Sequence, residues 1–217
     1  MKLFVDSGNI KDIESLAALG IIDGVTTNPS LLAKEPGDYR ENLKRICAIV
    51  KGPVSGEVVA TDTPGMIREG REIAAIDPHM VVKVPLTREG IQACKALSGE
   101  GFRVNVTLVF TAMQALLAAK AGATFVSPFV GRLDDVSTSG MDLIRDIVLI
   151  FDNYDFTTEV LVASCRHPIH LVEAARLGAD ICTCPPAVID QMFNHPLTNI
   201  GLEKFLKDWE KAQAVKV

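Results

Sequence analysis

The sharpest chemical signal in the chain is a lysine in an improbable place. Lys83 stands in Met-Val-Val-Lys-Val-Pro, a run otherwise wholly apolar. Lysines belong on solvated surfaces, so a strand-end lysine that merely reaches water is the plain alternative. In a low-dielectric interior near other cations, a lysine side chain is driven toward its neutral amine, and a neutral amine attacks carbonyl carbon. The placement therefore predicts a Schiff-base nucleophile. Such chemistry also needs proton carriers, and Asp6 and Glu57 are available for that work. Glu57 lies in Ser-Gly-Glu-Val-Val, where no helix start accounts for it. Asp6 precedes Ser-Gly-Asn and has a competing reading as a helix cap.

Lys83 is not an isolated intrusion. Asn28, Asn105 with Thr107, Ser127, and Ser164 with Arg166 stand at the ends of other short apolar runs. A polar group in a buried strand costs free energy unless it is paired. A set of them, one run after another, is expected to converge on one mouth and to pair there with each other and with substrate. Arg132 and Arg166 follow two late runs and, with Ser164, form a candidate phosphate clamp through charge-assisted hydrogen bonds. Ordinary surface arginines in loops are the alternative.

No metal or cofactor is expected. None of the four histidines has metal-ligand spacing,. The five cysteines form no regular framework, and the Cys182–Cys184 pair lacks partners for a zinc site, so reduced, buried thiols are expected,.

These residues are carried by alternating segments. The strand candidates are Leu3–Asp6, Gly24–Asn28, Val54–Val59, Met80–Pro85, Arg103–Val109, Thr124–Val130, Glu159–Ser164 and Asp180–Cys184. Helical periodicity fills the intervals. The first helix ends at Gly20. Asp38 with Glu41 resembles a capping box. Thr63-Pro64 reads as an N-cap followed by proline at the first helical position, and Thr87 caps a further helix. Ala-Ala-Lys-Ala-Gly-Ala, ending at Ala123, is echoed by Ala-Ala-Arg-Leu-Gly-Ala, ending at Ala179, and in each a glycine closes a helix before a strand,. A last helix from Gly201 to about Val215 places Leu202, Phe205, Leu206 and Trp209 on one face. Eight strands alternating with helices predict an α/β protein, a single (β/α)8 TIM barrel with an extra C-terminal helix. The rival open sheet would announce itself with a glycine-rich phosphate loop, and neither GxGxxG nor a Walker loop occurs.

Composition fits this frame. The 217 residues suit one catalytic domain spanning 1–217, and a hydrophobic fraction of 48% supports a sizeable core rather than disorder,. A net charge of −5 argues against a nucleic-acid partner,. No apolar run approaches the roughly 20 residues of a membrane helix, and the N-terminus lacks the pattern of a secretory signal. A cytoplasmic protein with small-molecule substrates is expected.

Taken together, Val-Asp-Ser-Gly (5–8), Gly-Val-Thr-Thr-Asn-Pro-Ser-Leu (24–31), Val-Lys-Val-Pro (82–85) and Ser-Pro-Phe-Val-Gly-Arg (127–132) resemble the transaldolase family. The likeness is greatest to its short bacterial form, which includes fructose-6-phosphate aldolase, and it covers essentially the whole chain. It implies a β/α barrel that moves a dihydroxyacetone unit from a ketose phosphate to an aldose phosphate, with no cofactor. The donor would be fructose 6-phosphate or sedoheptulose 7-phosphate, as in the pentose phosphate pathway. Lys83 would form the Schiff base with C2, and Asp6 would take the C4 hydroxyl proton. Glu57 and Thr107 would handle a catalytic water. Thr26 of the Thr-Thr-Asn-Pro motif, Asn28, Asn105, Ser127 and Phe129 would border the dihydroxyacetone piece, with Arg132, Ser164 and Arg166 on the phosphate. The aldolase branch tends to glutamine at position 57 and tyrosine at 129, so Glu57 and Phe129 favour transfer over release of free dihydroxyacetone. The resemblance also implies a homo-oligomer, pentameric rings that often pair into decamers, with C-terminal helices reaching neighbours. Two rivals from other classes are a deoxyribose-phosphate-type aldolase, which gives no reason for the Thr-Thr-Asn-Pro and Ser-Pro-Phe-Val-Gly-Arg motifs, and a non-catalytic barrel serving as a binding module.

Overall fold

A computed structural model describes residues 1–214. Eight parallel strands close into a barrel in sequential order. They are β1 (Lys2–Asp6), β2 (Gly24–Thr26), β3 (Val54–Glu57), β4 (Met80–Pro85), β5 (Val104–Val109), β6 (Phe125–Pro128), β7 (Glu159–Val162) and β8 (Ile181–Cys184). Helices cover the outside, and the strand residues that face them, such as Val5, Val82, Val84, Val104, Val126 and Val160, form the main apolar core. The expected (β/α)8 barrel is therefore the observed one.

A second, smaller cluster fills the barrel's interior: Phe4, Val81, Phe125, Leu161, Ala163 and Ile181, with Phe129 packed against it. Phe4 and Phe125 meet edge to face at 6.2 Å between ring centres. The fit leaves no slack: a Cβ on Gly24 would fall 2.5 Å from the Phe4 ring. Side chains alternate faces along a strand, so the residue two positions after each of these also points inward. On β1, β4 and β6 those next residues are Asp6, Lys83 and Ser127.

β4 has its expected bounds and β1 begins one residue early, but the other six strands are shorter than their patterns suggested. β2 stops at Thr26 because Asn28 caps a short helix, Pro29–Leu32, accepting from the Leu31 N–H at 2.9 Å. β3 stops at Glu57, and Val59 is 69% exposed. β6 gives way after Pro128 to a five-residue helix, Val130–Asp134. Periodicity cannot place such boundaries, since apolar residues continue past them. The caps also correct two expectations. Helix Thr63–Ala74 is capped by Asp62, not Thr63, through Gly65 N at 2.8 Å. The first helix, Ile10–Ala17, is capped by Asn9 through Asp12 N, and Gly20 lies beyond its end. Asp6 is thus not a cap and keeps its carboxylate for the barrel. Thr87 caps its helix as expected, Asp38 caps Tyr39–Val50 through the Arg40 and Glu41 N–H groups without the return bond from Glu41 that a capping box needs, and Gly122 and Gly178 turn with positive φ after helices Ala112–Lys120 and Pro168–Leu177.

The last helix runs Pro196–Ala214, starting before the expected Gly201 because proline suits a first helical turn,. Its expected end near Val215 lies outside the described residues. None of its residues is buried, and Leu197, Ile200, Phe205, Leu206 and Trp209 stand exposed. No helix among the described residues is long and apolar enough to cross a membrane. All five cysteines are buried and free.

Candidate active site

The upper tier of the barrel is a ring of polar side chains on the strands' C-terminal ends. Lys83 is 5% exposed, and its Nζ lies 3.0 Å from Glu57 Oε2 and 3.1 Å from the Thr27 carbonyl. The register makes this contact: Glu57, Lys83 and Asn105 are neighbours across β3, β4 and β5. The sequence reading set other cations beside Lys83; its nearest charged partner is instead a carboxylate. Asp6 sits in register with Thr26, whose hydroxyl donates to it at 2.7 Å. Burial raises the Asp6 pKa, and the Thr26 hydrogen bond and the Lys83 charge offset this only in part,.

Asn105 is fully buried below the mouth. Its Oδ1 accepts from Ser127 at 2.7 Å and its amide donates to Ser55 at 3.2 Å. Thr107 is the outlier: its hydroxyl is the one buried side-chain N or O without a hydrogen-bond partner among the described residues. Unpaired buried hydroxyls are costly, so a group aimed into a cavity points to a bound water or ligand. It is held there by an irregularity. Between Val106 and Val109, β5 carries one more residue than β6 opposite, with Leu108 at φ +59°. Bulges of this kind re-aim side chains beside active sites.

One cavity of about 220 Å³ gathers Asp6, Thr26, Asn28, Lys83, Thr107, Ser127, Phe129, Arg132, Ser164 and Arg166, together with Ala163 and Thr183. Glu57 reaches Lys83 from the side and itself borders a neighbouring cavity. Ten of the twelve residues singled out in the sequence thus line one mouth. Glu57 and Asn105 stand behind it.

Arg132, Ser164 and Arg166 form one rim of this cavity and come from two segments packed directly on each other. Gly131 donates to the Ser164 carbonyl at 3.1 Å, and a Cβ on it would lie 2.3 Å from that oxygen, so only glycine permits the approach. Ser164 has a left-handed backbone, φ +59°, a strained conformation of the sort held at functional sites. The Arg132 guanidinium stacks over the Phe129 ring at 5.4 Å. Arg166 pairs with Asp135 through both guanidinium ends, which pushes the Asp135 carboxyl below its usual range. Both partners are half exposed, where such a pair contributes little and can be exchanged for another anion.

Comparison with known proteins decides the family. Residues 3–216 match the model of the Transaldolase/Fructose-6-phosphate aldolase family. The chain belongs to that family. A probable transaldolase of Kosmotoga olearia is 57% identical over 211 residues, 97% of each chain. One of Syntrophobacter fumaroxidans is 56% identical over 221 residues, with both chains fully covered. Among solved structures, the N-acetylmannosamine-6-phosphate 2-epimerase of Clostridium perfringens superposes with a TM-score of 0.62, covering 92% of this chain and 93% of that one. At 18% identity that likeness speaks for the barrel alone,.

Sequence reasoning passed over three residues of this transaldolase-family site. Thr183 bonds Thr26 at 2.7 Å and thereby steadies the hydroxyl that serves Asp6. Ser55 holds Asn105, and the Thr27 carbonyl holds Lys83. Thr183 and Ser55 were findable: each stands two residues from another inward-facing residue, Ile181 and Glu57 respectively. The Thr27 carbonyl carries no side-chain signal at all. Among the described residues, no group of three or more His, Cys, Asp or Glu side chains is arranged to hold a metal ion.

Proposed function

We propose that this enzyme is a transaldolase that carries dihydroxyacetone on Lys83. The observation that carries the reading is the Lys83 amine, buried in the cavity beside one carboxylate, Glu57, with a second, Asp6, on the same cavity wall. Lys83 passes a proton to Glu57 and attacks C2 of a ketose phosphate. The carbinolamine loses water, with Glu57 and the unpartnered Thr107 hydroxyl holding that water, and an imine forms. Asp6 then accepts the C4 hydroxyl proton. The C3–C4 bond breaks, its electron pair moves into the imine as an enamine, and an aldose phosphate leaves. An acceptor aldehyde is attacked by C3, takes the proton from Asp6, and hydrolysis frees Lys83. The raised pKa of Asp6 suits a group that must both take and return a proton.

Asn28 spends its side-chain oxygen on Leu31 N–H, which leaves its amide hydrogens for a substrate hydroxyl, and Ser127 lies across the mouth. Arg132, Ser164 and Arg166 hold the phosphate, Arg166 exchanging Asp135 for it. Phe129 favours transfer over release of free dihydroxyacetone: its ring closes the cavity wall without a hydroxyl that could place a hydrolytic water. The substrates are sugar phosphates, and the site calls for no metal or organic cofactor. The uncovered apolar helix Pro196–Ala214 fits a subunit contact in a ring-shaped homo-oligomer; truncation before Pro196 should lower the native mass measured by light scattering.

Incubation with fructose 6-phosphate and borohydride should give a covalent three-carbon adduct on Lys83. A coupled assay should show turnover that depends on erythrose 4-phosphate. An adduct on another lysine rejects the nucleophile; equal turnover without acceptor means an aldolase.

A further inference from the structure

His170 is 5% exposed, and no step above uses it. It lies in the first turn of helix Pro168–Leu177, and its two ring nitrogens face different segments. Nδ1 is 3.3 Å from the backbone N–H of Arg166, and Nε2 is 3.1 Å from Asp134 Oδ2. A backbone N–H can only donate, so Nδ1 accepts, and the one proton of the neutral ring sits on Nε2, where Asp134 accepts it. Asp134 is fixed in turn, because its Oδ1 accepts from Gly140 N at 3.0 Å. Burial, followed by the charge of the adjacent His167, lowers the His170 pKa against the opposing pull of Asp134 and Glu173. The neutral ring is the form that makes both bonds.

These bonds join the two halves of the rim. Asp134 ends the short helix that carries Arg132, and Arg166 follows Ser164. Backbone bonds already fasten Val130 to Ala163 and Gly131 to Ser164. They stop at Ser164. Beyond it, the Arg166 N–H goes to His170, and the remaining tie is the exposed Arg166–Asp135 pair, which a phosphate would displace.

We infer that His170 is a positioning residue for anion recognition, fixing the spacing between Arg132 and the Ser164–Arg166 segment through one hydrogen bond accepted at Nδ1 and one donated from Nε2. The inference rests on the phosphate role proposed for those three residues. It explains why a buried imidazole stands beside an anion site without touching the cavity: it sets the distance between two cationic groups that the phosphate must bridge.

The test uses the full-length enzyme with two acceptors, glyceraldehyde 3-phosphate and glyceraldehyde, and compares KM and kcat. His170→Asn places an oxygen near the position of Nδ1 and can still accept from Arg166 N–H. His170→Gln reaches toward Asp134 but leaves Arg166 N–H unpaired. The Gln variant should raise KM for the phosphorylated acceptor about three- to tenfold more than for glyceraldehyde, the worth of one neutral hydrogen bond. The Asn variant keeps the Arg166 bond but loses the one to Asp134, so it should show a loss of the same order, and kcat at saturation should move less than KM. Equal losses with both acceptors, or a native KM ratio in either variant, would overturn the inference. If His170→Gln fails to fold, Asp134→Asn weakens the same link from its half-exposed side, and an unchanged KM ratio there overturns it as well. Arg132→Ala separates the two readings. If it penalises both acceptors equally, the phosphate role fails and this inference falls with it. If it penalises only the phosphorylated one while the His170 variants do not, only the inference about His170 fails.

Discussion

The floor and the mouth of the barrel are built by the same strands, facing the same way, two residues apart. On β1 the inward pair is Phe4 then Asp6; on β4, Val81 then Lys83; on β6, Phe125 then Ser127; on β8, Ile181 then Thr183. The first member of each pair is packed apolar; the second is polar and borders the cavity. The floor is held by area and fit, with rings edge to face and a glycine where no Cβ could go. The mouth is held by directed bonds: Thr183 to Thr26 to Asp6, Ser127 to Asn105 to Ser55, and Glu57 to Lys83. Buried polar groups that pair in this way avoid most of their desolvation cost. The floor therefore supplies stability, and the mouth gives up some of it to hold charged groups on the cavity wall.

The largest expected effect is at the mouth. Lys83→Met keeps the length and most of the volume of the side chain. It should lower kcat by on the order of a thousandfold or more and abolish borohydride trapping, while the loss of stability in urea unfolding stays within about 3–5 kcal/mol, the cost of leaving Glu57 without its partner,. A residual rate near that of the native enzyme would mean that the mouth works without its amine.

Asp6→Asn separates function from stability at one residue. It should cost about a hundredfold or more in kcat. Burial raises the folded-state pKa of Asp6, so its favourable contribution is complete below the ordinary aspartate range and is lost as pH rises through the raised value. At neutral pH the charged carboxylate is thus a cost, and the asparagine variant should unfold at an equal or higher temperature than the native chain. The difference should shrink or reverse in acid. A lower melting temperature at neutral pH would show that the Lys83 and Thr26 contacts outweigh burial.

On the floor the pattern should invert. Leu161→Ala removes a fully buried side chain from the interior cluster and should cost about 2–5 kcal/mol in urea unfolding. The folded fraction should keep native trapping of Lys83. A specific loss of trapping in folded protein would show that floor and mouth are coupled more tightly than two separable tiers.

The smallest effect sits where the tiers meet. Phe129 packs on the floor cluster, contacts Phe110 edge to face at 5.9 Å and lies under Arg132, yet it also lines the cavity. Phe129→Tyr should leave stability within about 0.5 kcal/mol. It should raise the ratio of free cleavage to transfer several-fold, because the added hydroxyl can place a water at the Lys83 adduct. An unchanged product ratio would assign Phe129 to packing alone.

The sequence by itself determined the barrel and most of its mouth. Short β-branched apolar runs locate strands, and eight such runs separated by helices close only a few ways. A lysine among valines, or a glutamate within an apolar run, is legible because burial makes it costly and hence conspicuous. The tertiary structure decided what no single segment contains. The register set Glu57 rather than a cation against Lys83. The bulge in β5 left the Thr107 hydroxyl aimed into the cavity, and the packing of Gly131 on Ser164 joined two loops into one rim. His170 was the least legible of all: a histidine near a helix start carries no spacing signal, and its task depends on which backbone N–H and which carboxylate meet its two ring nitrogens. Spacing along a chain encodes the direction in which a side chain points. The partner it meets there is fixed only when separate strands and loops pack, because hydrogen bonds and ion pairs act over a few ångströms in space rather than along the sequence.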